Sequence, residues 1–186
     1  MKPRIALTGG IACGKSLLAK YLNDLGVETL DADDIVHDLV PEAERRRIAD
    51  EIFRDPAKRQ ALEARLHPLV RARLAAFAHP LTSSPSHPHT SSPLKIEIIP
   101  LLFECHWEPD YDIIICVSSP RRLQVKRMTT LRGYTEEQAE ARLAAQLPVE
   151  EKAARSDYVI LNDGSAENLM ENAQRLVEWL KGRCDG

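Results

Sequence analysis

Eight residues near the start of the chain, Gly9-Gly10-Ile11-Ala12-Cys13-Gly14-Lys15-Ser16, restrict its possible folds more than any other feature. They fit the spacing G-x-x-x-x-G-K-[ST] at every fixed position. Before them, Ile5 and Leu7 sit in a short apolar run that reads as a buried strand entering a glycine turn. After them, Leu17, Leu18, Tyr21, Leu22 and Leu25 recur at helical spacing, with Gly26 at a C-cap position. Strand, glycine-rich turn and helix together let successive backbone N–H groups point into one hollow. The helix N-terminus adds partial positive charge. A lysine at the position of Lys15 reaches the β- and γ-phosphates of a nucleoside triphosphate, and a hydroxyl at the position of Ser16 ligates Mg²⁺. The candidate nucleotide-binding residues are therefore Gly9, Gly10, Ile11, Ala12, Cys13, Gly14, Lys15, Ser16 and Leu17, with Ser16 the candidate metal ligand.

The remaining pattern predicts an α/β chain. Val27–Leu30 reads as a second strand ending at Asp31, Asp33 and Asp34. Helix is expected from Ile35 to about Ala78, with a new start at Asp55-Pro56 and a stripe of Leu62, Leu66, Leu69, Val70, Leu74 and Phe77. Pro68 is expected to kink or break it. Residues 79–93 are a Ser/Pro-rich run that reads as an exposed loop between elements. Leu94–Leu102 and Asp112–Val117 are apolar without alternation, as strands buried on both faces are. Ser119-Pro120 and the capping box Thr135–Gln138 open two more helices. Tyr158–Leu161 reads as a last strand, and Ser165 begins a helix carrying Leu169, Leu176, Val177 and Leu180. This alternation predicts a parallel sheet covered by helices on both faces.

Bulk properties exclude several classes. With 186 residues the chain favours one domain. A net charge of −3 gives no global nucleic-acid-binding surface. No apolar run approaches the roughly 18 residues of a membrane span, so no membrane partner is expected. The start, Met-Lys-Pro-Arg-Ile-Ala-Leu, lacks the apolar stretch of a signal peptide, and a cytoplasmic protein is expected. Cys13, Cys105, Cys116 and Cys184 show no C-x-x-C spacing and read as thiols in a reducing compartment, Cys13 as structural. His87-Pro-His89, in the Ser/Pro-rich run, does not make a metal pattern. The oligomeric state is not encoded legibly; a monomer is the working expectation.

A phosphate-gripping loop does not by itself separate kinase from hydrolase. The N-K-x-D and D-x-x-G markers of GTPases are missing. A small-molecule kinase needs an acceptor base and cations around the transferring phosphate. Asp31 and Asp33 end the second strand, where a carboxylate can take a proton from an acceptor hydroxyl. Capping of the next helix is the other reading, and for Asp31 the two stand level. Arg121, Arg122, Lys126, Arg127 and Arg132 form a basic stretch, followed by Arg142. It reads as a lid for phosphate charge or as solvated helix faces. Glu104, ending the third strand, reads as a ligand-orienting group, a cap or a salt-bridge partner.

Together these pieces resemble the dephospho-coenzyme A kinase family. The segments follow the family's order: Leu7–Ser16, Asp31-Ala32-Asp33, His67-Pro68, Pro100–Glu104, Gln124–Arg127, Arg142–Pro148 and Glu151–Ile160, then Asn162 and Gly164. The resemblance spans nearly the whole chain. It implies a nucleoside-monophosphate-kinase-like fold: a core at 1–33, 94–119 and 157–186, a helical substrate-binding insertion at 34–93, and a lid at 120–156. It also implies transfer of the γ-phosphate of ATP to the ribose 3′-hydroxyl of dephospho-CoA, the last step of coenzyme A synthesis. By the same resemblance Asp33 is the base, Lys15 and Arg142 stabilise the transferring phosphate, and Ser16 holds Mg²⁺. Asn162 and Gly164 then lie near the adenine.

The sequence also departs from the family. Ala12 stands where a third loop glycine is usual, and is strained if that position needs positive φ. Leu17 replaces a common threonine, and Leu131 aligns with a usual arginine, leaving Arg132 one residue late. Between Val40 and Phe53 the family usually carries a longer segment with F-G and D-G signatures, absent here. That shortening keeps two other readings open: a nucleotide-binding regulator or pseudoenzyme, and a kinase of another small hydroxyl acceptor.

Overall fold

The apolar runs assemble into one five-stranded sheet. The computed structural model describes residues 3–41, 55–79 and 94–184. Apart from Pro41 and His79, the shortened segment after Val40 and the Ser/Pro-rich run, with His87 and His89, lie outside the described residues. The strands are β1 (Ile5–Gly9), β2 (Glu28–Asp31), β3 (Lys95–Ile98), β4 (Ile113–Ser118) and β5 (Tyr158–Leu161), in the order β2-β3-β1-β4-β5. β1 pairs in parallel with β3, Leu7 opposite Ile98, and with β4, Leu7 opposite Ile115. β4 pairs in parallel with β5, Val117 opposite Ile160. Every residue of β1 is buried, which explains its lack of alternation.

The helices are α1 (Lys15–Asp24), α2 (Ala32–Leu39), α3 (Pro56–Ala78), α4 (Arg121–Arg132), α5 (Glu136–Ala144), α6 (Val149–Ala154) and α7 (Ala166–Cys184). Leu18 and Leu22 of α1 join Leu169, Ala173, Leu176 and Leu180 of α7 in the core with the strand residues. The i, i+4 phase of these residues is what turns each helix toward the sheet. Gly26 follows α1 with φ 83, closing it as the sequence predicts. Thr135 and Gln138 form the predicted capping box at α5. Serine and asparagine cap α7 in the same reciprocal way, Ser165 N–H donating to Asn168 Oδ1 at 3.2 Å.

One polar cluster lies inside the strand layer. Glu97 of β3 is only 1% exposed. It accepts from Arg4 Nε at 3.1 Å and Nη2 at 2.8 Å, and from the Tyr111 hydroxyl at 2.6 Å. Burial and the bond to Glu97 push the Tyr111 phenol well above its usual value. The apolar reading of this strand left Glu97 without a partner, since Arg4 and Tyr111 are distant in sequence.

The chain divides into two compact units, Met1–Thr29 with Ser92–Gly186, and Leu30–Ser91. In the second unit α2 packs on α3, and Ile35, Val40, Val70 and Leu74 are buried. Asp55 caps α3 as predicted, accepting from Ala57 N at 3.0 Å and Lys58 N at 3.2 Å.

Several boundaries differ from expectation. α3 runs on through Pro68 rather than breaking there. Proline removes one donor, and the carbonyl it orphans is that of Ala64; both residues are exposed, so water can satisfy that group. Leu69 is 51% exposed, because the buried phase is Val70 and Leu74. β3 ends at Ile98 rather than Leu102, since the chain turns at Ile99 and Pro100. Helix begins at Ala32, not Ile35, because the Asp31 side chain caps it. α4 starts at Arg121 with Pro120 as its cap residue, and the Ser119 hydroxyl is bonded elsewhere.

The core predicts a clear contrast between two leucines. Leu176→Ala removes a fully buried side chain and should cost about 3 kcal/mol, or a melting temperature roughly 6–12 °C lower. Leu131 is 78% exposed, and Leu131→Ala should stay within about 0.5 kcal/mol. Chemical denaturation of both variants checks this; equal losses would contradict the burial assignment.

Candidate active site

The carboxyl ends of β1, β3, β4 and β5 deliver the residues that form one site in the first unit. β1 runs directly into Gly9–Ser16, and α1 begins at Lys15. Three loop residues have positive φ: Gly9 at 142°, Ala12 at 57° and Gly14 at 98°. Alternation of hand of this kind curls a backbone into an anion-binding concavity. Glycine is required at position 14 on two grounds. Its φ lies in the left-handed region, and a Cβ there would run into the Asn162 carboxamide.

The loop's outward-facing carbonyls are each taken by a side chain. Gln124 Nε2 donates to Ile11 O at 2.7 Å. Arg127 Nη1 donates to Ala12 O at 3.3 Å. Asn162 Nδ2 donates to Cys13 O at 2.9 Å. In a trans peptide the N–H points opposite to its C=O. Fixing the carbonyls of Ile11 and Cys13 outward therefore turns the N–H groups of Ala12 and Gly14 inward. The braces are tied to one another. Arg127 also donates to Ser119 Oγ at 2.8 Å and to Asn162 O at 3.0 Å. Ser119 Oγ in turn donates to Asn162 O at 2.7 Å.

Lys15 Nζ donates to Gly9 O and Gly10 O, each at 2.9 Å. Its charge is thus held over the loop it belongs to. Ser16 and Leu17 are exposed on the first turn of α1. Arg142 is exposed on α5, with its guanidinium 4.5 Å from the Tyr134 ring centroid. Gly164 lies in the exposed turn before α7. Asp31 and Asp33 belong to the second unit. Asp31 caps α2 by accepting from Asp33 N at 2.9 Å, and Asp33 itself is exposed on the first turn.

These positions add contacts that the sequence reading did not contain. Gln124 and Arg127, the latter from the basic stretch, both donate to the loop backbone. Asn162, expected near the adenine, donates its side-chain amide to the loop at Cys13 O. Elsewhere in the stretch, Arg121 pairs with Glu140 and ties α4 to α5.

Glu104 is a salt-bridge partner. It lies 2.7 Å from Lys152 Nζ, which also donates to Pro100 O at 2.8 Å. Glu104 Oε1 further accepts from Leu147 N at 3.0 Å. Lys152 is fully buried, and the pair knits the turn after β3 to the start and middle of α6.

The sequence profile of the dephospho-CoA kinase family matches residues 4–44 and 42–168. The chain belongs to the dephospho-CoA kinase family. The two matched pieces overlap at 42–44, within the stretch that the sequence comparison reads as shortened. A dephospho-CoA kinase of Anaeromyxobacter dehalogenans is 37% identical over 96% of this chain and 92% of its own. One of Wolinella succinogenes is 33% identical over 95% and 94%. Among solved structures, TT1252 of Thermus thermophilus aligns with a TM-score of 0.77 at 32% identity, covering 97% of this chain and 99% of that one. The Campylobacter jejuni dephospho-CoA kinase, at 23% identity and TM-score 0.63, covers 96% of this chain and 97% of its own. An Acinetobacter baumannii shikimate kinase, at 19% and 0.62, covers 98% and 95%. Both of these share the fold.

Sequence reasoning alone missed the role of Lys152. Its only signal is position: it falls within the family segment Glu151–Ile160, among small residues of a short helix. The brace by Gln124 and Arg127 had a comparable signal, the Q-x-x-R spacing of residues one helical turn apart.

Cys13 is fully buried, with Gln124 Nε2 3.2 Å from its Sγ. Burial pushes its thiol up, against the opposing charge of Lys15. Burial likewise pushes Cys116 up, to about 12, and Cys13 adds to the effect. A thiol at a helix N-terminus can be acidic, but here desolvation wins. The thiolate is the nucleophile, so a raised value means less reactive sulfur at neutral pH. Alkylation of the native protein at pH 8, read by mass spectrometry, should modify the half-buried Cys105 and Cys184 first. Cys13 and Cys116 should react only after unfolding. Early labelling of Cys13 would contradict the burial argument.

Proposed function

We propose that the chain transfers the γ-phosphate of ATP to the ribose 3′-hydroxyl of dephospho-CoA, giving CoA and ADP. The observation that carries this reading is the phosphate-binding loop, with carbonyls braced outward, in a chain of this family. Lys15 is the cation for the β- and γ-phosphates, needing only to exchange the carbonyls of Gly9 and Gly10 for phosphate oxygens. The N–H groups of Ala12 and Gly14 bind without reorganisation, because their peptides are already fixed. Asp33 is the base: its carboxylate accepts the 3′-hydroxyl proton as the new O–P bond forms and the bond to the β-phosphate oxygen breaks. Its place supports this, two residues past the end of β2 and exposed. Arg142 supplies positive charge to the γ-phosphate oxygens, and its exposure on α5 leaves it room to move.

Mg²⁺ fits the loop through Ser16, whose exposed hydroxyl sits on the first turn after Lys15. Bound there with the phosphates, it would neutralise charge on the β- and γ-oxygens. Among the described residues, no group of three or more His, Cys, Asp and Glu stands ready to hold a metal. The donor set that the loop offers is the Ser16 hydroxyl together with the phosphate oxygens. We place residues 120–156 as a lid and 34–93 as the acceptor side. We also place Gly164 near the adenine, with Asn162 holding the loop beside it. No described helix is long and apolar enough to cross a membrane, in keeping with catalysis in the cytoplasm.

Purified protein with Mg-ATP should release ADP only when dephospho-CoA is present, in step with a 3′-phosphorylated product seen by mass. ADP release that ignores dephospho-CoA, or depends on a different hydroxyl compound, would remove the acceptor assignment. Asp33→Asn should leave ATP affinity nearly intact and lower turnover by about 100-fold or more. Lys15→Ala should weaken both ATP binding and turnover; normal kinetics in that variant would undo the loop's role.

A further inference from the structure

We infer that Arg127 is a positioning residue that holds Ala12 in its left-handed conformation, doing for this loop what a glycine would do unaided. The inference rests on the reading that Gly9–Ser16 binds the phosphates of ATP.

Ala12 has φ 57, a region where a Cβ crowds the following carbonyl and only glycine is at ease. A strained residue of this kind persists only where its surroundings over-determine it. The restraint is visible. Arg127 reaches the Ala12 carbonyl, the Ser119 hydroxyl and the Asn162 carbonyl at once. These acceptors come from the loop, the end of β4 and the end of β5, so the guanidinium ties the strained peptide to two strands of the sheet. Met128, the next residue, is fully buried and anchors that turn of α4. Gln124 and Asn162 fix the peptides on either side. Ala12 is the middle of three consecutive residues with braced carbonyls, and it alone of the three has positive φ.

The planar fork serves the three acceptors from two nitrogens held apart; glutamine has only two N–H donors, and lysine has a single nitrogen. Without it, Ala12 relaxes toward negative φ, the peptide joining Ala12 to Cys13 turns, and the cradle loses its shape. With glycine at position 12, no such relaxation is favoured, and the loop keeps its form without the guanidinium. The two positions are therefore coupled, and the coupling has a definite sign.

The test is a double-mutant cycle on the full chain: wild type, Ala12→Gly, Arg127→Gln and the double variant. Mg-ATP affinity is measured by calorimetry, with thermal unfolding in parallel. The left-handed strain corresponds to roughly 5- to 30-fold in an equilibrium. Arg127→Gln should weaken Mg-ATP binding by about that factor with alanine at position 12, and by no more than about threefold with glycine there. The same loss in both backgrounds would overturn the inference; a guanidinium that touches the nucleotide directly, or a general loss of stability, gives that result. No loss in the alanine background would overturn it too. If Arg127→Gln does not fold, Arg127→Lys, which keeps the charge and loses the fork, runs through the same cycle under the same criterion. A wild-type protein that binds no Mg-ATP would instead bring down the functional proposal itself. Tight wild-type binding with an uncoupled cycle would bring down the inference alone.

Discussion

A backbone that turns its N–H groups toward a ligand must turn its carbonyls away, and buried carbonyls need donors. Much of the first unit answers that requirement. The donors for Ile11, Ala12 and Cys13 come from Gln124, Arg127 and Asn162. The first two lie on the helix after β4, and the third just beyond β5. The strand order explains why these are the donors available. β4 lies directly beside β1, and β5 beside β4, all parallel, so their carboxyl ends open on the same side as the loop. The choice of strand neighbours and the shape of the phosphate cradle are thus one arrangement.

What was legible in the sequence was what is local. The loop spacing, the closing Gly26, the Asp55 cap and the Thr135–Gln138 box each depend on residues within about one turn of one another, and each forms as read. The runs of β1 and β4 were legible because burial on both faces leaves few polar residues to interrupt them. What was hidden depends on partners far apart in sequence. Glu97 reads as an anomaly in an apolar strand until Arg4 and Tyr111 are brought to it. Lys152 has no visible role until Glu104 and Pro100 meet it. Arg127 reads as one of several exposed cations until the strand order places it beneath the loop. Pro68 does not end the helix for another reason: the strength of a breaker depends on whether water can reach the carbonyl it orphans, and exposure is not written locally.

Two carboxylates, the buried Glu97 and the half-buried Glu104, are both paired. Each meets a cation and at least one further donor, so neither is left as an unpaired charge. Such pairs contribute little net stability, because desolvation offsets their attraction. Their effect is on uniqueness: a shifted register would strand a carboxylate in the core. Glu97 resists such a shift between β1 and β3 through Arg4. Glu104 does the same for the turn after β3 and the start of α6.

The brace at Arg127 and the bond from Leu147 to Glu104 also act as two moorings. Upstream of Arg127 the chain is fastened to the loop and sheet, and downstream of Leu147 it is fastened through Lys152 to the turn after β3. The stretch slung between them carries Arg132, Tyr134 and Arg142. Its ends are tied, so a movement of Arg142 would have to arise inside that span, against the exposed Arg121–Glu140 pair that joins α4 to α5. Gly133, with φ 69 and open space where a Cβ would stand, lies there as a natural point of give.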